Sequence, residues 1–358
     1  MDKNSKDSRR IYFDYYKVKR SIEFMDQCDT RKSWQDIQRK IKKRQSRKVM
    51  LVASTVAAVF ALLLSVTYYI LPQDVFSRKG TPVIASSYPE MGYRKAMLTL
   101  ADGEIIDLAR QSGKIEREDD GTEIHNENQQ LVYKPAYVDG DVSRRNVLTV
   151  PRGGEYQLVL SDGTKVWINA ESSLSYPEVF GKTREVVLEG EAYFEVKKDS
   201  DRPFIVRVGE QAVEVLGTHF NISAYPESSF YTTLLEGKVR VDNQKQAVVL
   251  APNEQAVVVP GQESIVVREV DAAAYASWIH GCYRFSDTEL GDIIAQLSRW
   301  YNVEFRFVDE SLKYKRFAGI VYRDEELGFA INVIERVANV RFTRNNNIIY
   351  VDNPWQRK

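Results

Sequence analysis

The sequence predicts a multi-domain chain: a short α-helical tail, a single transmembrane helix, an all-β domain of roll, sandwich or solenoid-like type, and a C-terminal α+β domain. Three observations carry that expectation. Residues 49–71 form an uncharged apolar run, residues 94–270 alternate with period two between turn signals, and beyond the apolar run helical periodicity begins only after residue 281. The 358 residues hold 50 Lys+Arg against 50 Asp+Glu, with 43% apolar and 28% charged. That composition is globular and excludes disordered, collagen-like and disulfide-scaffold classes.

The tail, residues 1–48, places Ile11, Tyr15, Val18, Ile22 and Met25 at alternating steps of four and three, one apolar stripe of an amphipathic helix. Trp34 and Ile37, followed by Ile41, mark a second helix. Two helices this short cannot enclose a core, so the stripe is expected to bind a partner.

Residues 49–71 contain no charge, Gly or Pro. At about 1.5 Å per residue they reach about 34 Å, enough to span a bilayer core of about 30 Å. Seven basic residues and no acid occupy positions 39–48, whereas the far side begins Pro72-Gln73-Asp74. The positive-inside rule then keeps the N-terminus cytoplasmic. A 48-residue leader and the absence of a small-residue exit argue for an anchor rather than a cleaved signal. Residues 1–48 hold 16 Lys+Arg and 7 Asp+Glu, net +9, and residues 72–358 hold 34 and 43, net −9. The overall zero conceals two opposite halves. The tail's charge is densest beside the membrane, where anionic headgroups account for it without nucleic acid. Cys28 and Cys282 fall on opposite sides of the anchor, so no disulfide joins them.

Residues 72–93 read as a linker and 94–270 as the β domain. Asp162-Gly163 between Leu158 and Ile168 is a hairpin signal, with a weaker echo at Asp102-Gly103. A second echo pairs Leu188-Glu189-Gly190-Glu191 with Leu235-Glu236-Gly237-Lys238, each leading into an alternating strand. Residues 110–130 are polar and acidic and read as an exposed loop. Residues 281–352 read in the order βαββαββ, with both helices on one face of a small sheet. Ser286 and Glu289 form a capping box before a helix carrying Leu290, Ile293, Ile294, Leu297 and Trp300, and Asp324 caps a helix carrying Leu327, Ala330, Ile331 and Ile334.

Signals for catalysis are weak. His125, His219 and His280 lie far apart without metal-ligand spacing, and no nucleophile-elbow, phosphate-loop or dinucleotide motif is present. Arg152-Gly153-Gly154 precedes a strand, not a helix, so it does not read as a phosphate cradle. The expectation is a binding and signalling protein, not an enzyme, with no cofactor and no metal.

The stretch VPRGGEYQLVLSDGTKVWINAESSLSYP from Val150, followed in order by VLEGEAYFEV from Val187, PFIV from Pro203, VLGTHFN from Val215 and LLEGKVRV from Leu234, closely resembles FecR-type anti-sigma factors. The C-terminal unit resembles the domain that accompanies it in Bacteroidetes members, which is similar to the secretin and TonB-receptor signalling fold. The resemblance implies a relay through the inner membrane: an ECF sigma factor held in the cytoplasm by Ile11, Tyr15, Val18, Ile22, Met25, Trp34 and Ile37, and a periplasmic signal from the N-terminal signalling domain of a TonB-dependent outer-membrane transporter. It also implies transmission by proteolysis, including a regulated intramembrane protease, and self-cleavage at Gly217-Thr218, the bond that some relatives break. Two other readings compete. One is a membrane-anchored periplasmic glycan-binding or envelope scaffold protein that stacks sugars on Trp167, Tyr176, Tyr193 and Phe194, although core packing explains those rings equally well. The other is an anchored hydrolase.

Overall fold

Period-two alternation governs most of the chain that the computed structural model describes, namely residues 92–117, 122–127, 130–134, 143–226 and 228–354. The chain divides into two units, Met1–Ser86 and Ser87–Lys358. The tail, the apolar run 49–71 and the linker up to residue 91 lie outside the described residues. Among the described residues no helix is long and apolar enough to cross a membrane.

The second unit begins with β1 (Tyr93–Arg94), β2 (Met97–Thr99), β3 (Ile105–Asp107), β4 (Gly113–Arg117), β5 (Glu123–Glu127) and β6 (Gln130–Lys134). There follow β7 (Arg145–Val150), β8 (Gly154–Val159), β9 (Lys165–Ile168), β10 (Ser172–Pro177) and the 12-residue β11 (Arg184–Glu195). Then come β12 (Phe204–Val208), β13 (Gln211–Val215), β14 (His219–Ala224), β15 (Phe230–Glu236), β16 (Val239–Asp242), β17 (Ala247–Leu250), β18 (Glu254–Val258) and β19 (Val266–Glu269). They form two sheets. One runs β3-β2-β7-β10-β11-β12-β13-β16-β17. The other runs β4-β5-β6-β8-β9-β11-β14-β15-β18-β19. Leu148, Leu158, Leu174, Phe194, Val206 and Leu234 are among the buried residues of the single core between the sheets. Burying each such side chain contributes about 1.5–3 kcal/mol.

The Asp-Gly hairpin forms as expected: Leu160 and Thr164 close the turn, with Gly163 at φ 87° and the Asp162 carboxylate accepting from the Thr164 N–H at 2.9 Å. The second echo has a different meaning. Gly190, at φ 88°, lies inside β11, where the strand leaves β10 and β12 for β9 and β14. A Cβ there would run into the Ser172 side chain and the Glu171 carbonyl, so only glycine permits the bend. Gly237, at φ 97°, turns the chain from β15 in one sheet to β16 in the other. Both glycines mark passages between sheets.

Residues 110–130 are not a loop throughout. They contain the hairpin β4–β5, with Ile124 fully buried. Asn126 is buried as well: its amide donates to the Leu108 and Gln111 carbonyls, and its Oδ1 accepts from the Tyr156 hydroxyl at 2.6 Å. Ile124, the partly buried Ile115 and one fully bonded amide fix this register while the charged residues face water.

The C-terminal part opens with α1 (Ala272–Tyr275) and a 3-10 turn, Ser277–His280. Next are β20 (Cys282–Glu289), α2 (Leu290–Tyr301), β21 (Glu304–Phe307), β22 (Arg316–Tyr322), α3 (Leu327–Ala338), β23 (Arg341–Asn345) and β24 (Ile348–Asp352). The order is βαββαββ, but the strands make two small sheets, β20–β22 and β21-β24-β23, instead of one. Neither expected cap forms. Ser286 to Glu289 belong to β20, bulged at Asp287 with φ 52°, and the Leu290 N–H finds its acceptor in the Lys315 carbonyl at 2.7 Å. The residue preceding α3 is Glu326, not Asp324. Both helices end on an asparagine in the left-handed region, Asn302 and Asn339.

Candidate functional site

The core of the C-terminal part extends onto the outer face of the sandwich, where Tyr193 is buried with it and Trp167 and Leu235 pack against it. This seam is the most elaborate polar and aromatic arrangement among the described residues. Trp278, in the 3-10 turn, is buried between the two parts, and its indole N–H donates to Asn221 Oδ1 of β14 at 3.1 Å. Asn221 and Asn169 in turn donate to the two carboxylate oxygens of Glu191, at 3.0 and 2.9 Å. The orientation of each amide is fixed from behind: Asn221 Oδ1 accepts from Trp278, and Asn169 Oδ1 from the Ala170 N–H. Both therefore present N–H groups to Glu191, an arrangement suited to an ionised carboxylate. Burial works against that ionisation and raises the Glu191 pKa. Asn221, Arg299, Asn169 and Arg323 oppose the shift.

Arg323 closes the seam from the other side. It is buried, and its Nη1 donates to Glu155 Oε2 of β8 at 2.6 Å and to the Trp278 carbonyl at 2.7 Å. Its guanidinium carbon lies 3.6 Å from the centre of the Trp300 ring, with Tyr283 at 5.3 Å. Nε and Nη2 have no hydrogen-bond partner, so for them aromatic faces stand in place of acceptors. Burial raises the Tyr283 phenol and pushes Tyr193 up to about 12, keeping both neutral.

The Arg152-Gly153-Gly154 loop caps a helix across the seam. Arg152 Nη2 donates to the Ser298 carbonyl at 2.8 Å and to the Val303 carbonyl at 3.1 Å, and the Gly153 N–H donates to the Arg299 carbonyl at 2.7 Å. Ser298 and Arg299 lie in the last turn of α2 and Val303 just beyond its Asn302 cap, where the helix dipole favours a cation. Gly153 sits at φ 67°. The motif visible in the sequence thus serves to seat a helix of the neighbouring part.

Ile11, Tyr15, Val18, Ile22, Met25, Trp34 and Ile37 lie outside the described residues. Gly217-Thr218 is a corner between β13 and β14. A Cβ on Gly217 would fall 2.7 Å from Lys198 Cα, and the Thr218 hydroxyl, buried, donates to the Lys238 carbonyl at 3.0 Å. His219 turns instead toward Glu236. The aromatic residues weighed for sugar stacking are packing residues. Tyr176 and Phe194 are fully buried, Phe194 stacks on Phe220 at 5.0 Å, and the half-buried Trp167 meets the buried Tyr193 edge-on. That removes the observation on which glycan binding rested. No group of His, Cys, Asp and Glu among the described residues is arranged to hold a metal.

Residues 146–240 match the family described as FecR protein, and residues 283–351 match the family described as FecR, C-terminal. Two crystal structures of a candidate anti-sigma factor from Parabacteroides distasonis ATCC 8503, at 1.65 and 2.50 Å resolution, are similar to this chain at 32% identity. They cover 58% of this chain and 98% and 99% of their own, with TM-scores of 0.55 and 0.54. A search of curated proteins returned no match.

Proposed function

The chain belongs to the FecR family, and from that premise we propose that it is a single-pass inner-membrane anti-sigma factor, with residues 1–48 in the cytoplasm and residues 72–358 in the periplasm. Residues 1–48 hold an ECF sigma factor. The outer part takes its signal from the N-terminal signalling domain of a TonB-dependent outer-membrane transporter. The observation that carries the reading is the 32% identity to a candidate anti-sigma factor across 98% of that chain. The +9 and −9 halves of the sequence support the topology. Ile320 and Tyr322 on β22, with Phe329 and Val337 on α3, are exposed apolar side chains suited to a protein partner. The role is regulatory rather than catalytic.

The test is co-purification of the full chain with the ECF sigma factors of the same cell. Changing Ile11, Tyr15, Val18 and Ile22 together to Asp should weaken the complex by about 100-fold or more, since each buried contact would become an unpaired carboxylate. Wild-type affinity in that variant would reject the helical stripe as the binding surface.

Self-cleavage at Gly217-Thr218 is the finer proposal. The Thr218 hydroxyl, released from the Lys238 carbonyl, would attack the Gly217 carbonyl, and the peptide C–N bond would break as the ester forms. The hydroxyl proton would pass to the Thr218 amine freed in that step, and water would then hydrolyse the ester to a Gly217 carboxylate and the restored Thr218 hydroxyl. Thr218→Ala should leave a single full-length band where wild type gives two fragments, residues 1–217 with the membrane and residues 218–358 in the periplasm. Identical fragments in both would end the proposal.

A further inference from the structure

Strand β1 is where the chain from residue 91 joins the folded unit, and it is held from two sides. Tyr93 and Arg94 pair in parallel with Gly154 and Glu155 of β8, and the Tyr93 N–H donates to the Gly153 carbonyl at 3.0 Å. On the other side stands Trp300, in the last turn of α2. A Cβ built on Gly92 would fall 2.5–2.7 Å from three carbons of its indole ring, closer than carbon atoms approach without displacement. Glu155 joins the two sides, lying 3.8 Å from Arg94 and 2.6 Å from Arg323.

The strand is too slight to hold itself. It has two residues, both exposed, with Tyr93 at 58%. Pairing this short, with no buried side chain of its own, adds little stability. We propose that β1 is a strap closed by the C-terminal domain. The end of α2, seated by Arg152 and Gly153, keeps residues 92–94 on β8, and lifting that end off its seat releases the strap while the sandwich stays folded. The strap continues directly from the residues that follow the apolar run, so an event at the C-terminal domain acts on that connecting chain at Gly92. The inference does not depend on what residues 1–48 bind.

Hydrogen exchange on the full chain tests it. Gly92→Ala sets a methyl group against Trp300, and Arg152→Ala takes the cation from the carbonyls around the end of α2 without touching β1. Both should speed exchange of the Tyr93 amide by about tenfold or more while the β8 and β9 core amides keep wild-type protection. Unchanged Tyr93 exchange in both variants would overturn the proposal. So would an effect of Gly92→Ala alone, because the seating of α2 would then not close the strap. Loss of protection throughout β8 would overturn it as well, since β1 would not be a separable element.

Discussion

Arg184→Ala should lower the stability of the sandwich by about 3–5 kcal/mol, read as a fall in the denaturant midpoint at unchanged slope. Arg184 is fully buried at the start of β11. Its Nη1 reaches Asp162 Oδ2 at 2.9 Å and the Lys197 carbonyl at 2.8 Å, and its Nε reaches the Arg202 carbonyl at 2.9 Å. The guanidinium also lies 5.5 Å from the centre of the Phe204 ring. One side chain thus joins the Asp162-Gly163 turn, the 197–202 segment and the strand common to both sheets. Alanine would leave the Asp162 side chain, 4% exposed, as a buried carboxylate without its cation. That loss exceeds the value of the pair itself, because the remaining charge keeps its desolvation penalty. Arg184→Lys should recover less than half, since one ammonium cannot reproduce a planar fork with three acceptors in different directions. A loss under about 1 kcal/mol in the alanine variant would mean that the 197–202 segment rearranges to solvate Asp162.

What could be read from the sequence divides by the range of the interaction. The Asp162-Gly163 turn is local chemistry, and alternation around it placed β8 and β9 directly. The face of α2 was equally plain, because Leu290, Ile293, Ile294, Leu297 and Trp300 are inward by periodicity alone. Local chemistry also misled. Ser286 and Glu289 have the spacing of a capping box, yet pairing with β22 keeps them extended, so tertiary context overrode the motif. In β5 the inward positions are Ile124 and Asn126, and an asparagine buried by three bonds has no apolar signature. The seam was least accessible. Arg323 and Glu155 are 168 residues apart, and nothing near either one announces the other. Arg152-Gly153-Gly154 was conspicuous, but its purpose lies in the carbonyls around the end of α2, some 150 residues away.

Trp278→Ala should cost about 3–5 kcal/mol and, beyond that, separate one unfolding transition into two in scanning calorimetry. The indole fills the space between the outer face of the sandwich and the C-terminal core, so truncation leaves a cavity between two folded parts instead of within one. Its N–H also orients Asn221. Without it the Asn221 amide can turn its oxygen toward Glu191, and the carboxylate, already disfavoured by burial, loses one of two donors. The Trp278 main-chain carbonyl still accepts from Arg323, so the loss should fall on the sandwich side of the seam. Each part retains its own core: the sandwich core runs through Leu158 and Phe194, and the C-terminal core through Leu297 and Ile334. The C-terminal part, holding fewer buried residues, should melt first while the sandwich transition stays within a few degrees of wild type. Trp278→Phe separates the two roles. It keeps most of the packing and removes only the N–H, so it should cost about 1–2 kcal/mol and preserve a single transition. A single transition in the alanine variant would locate the coupling in Arg323 and the Arg152 loop, and Arg323→Ala would then be the substitution that splits it.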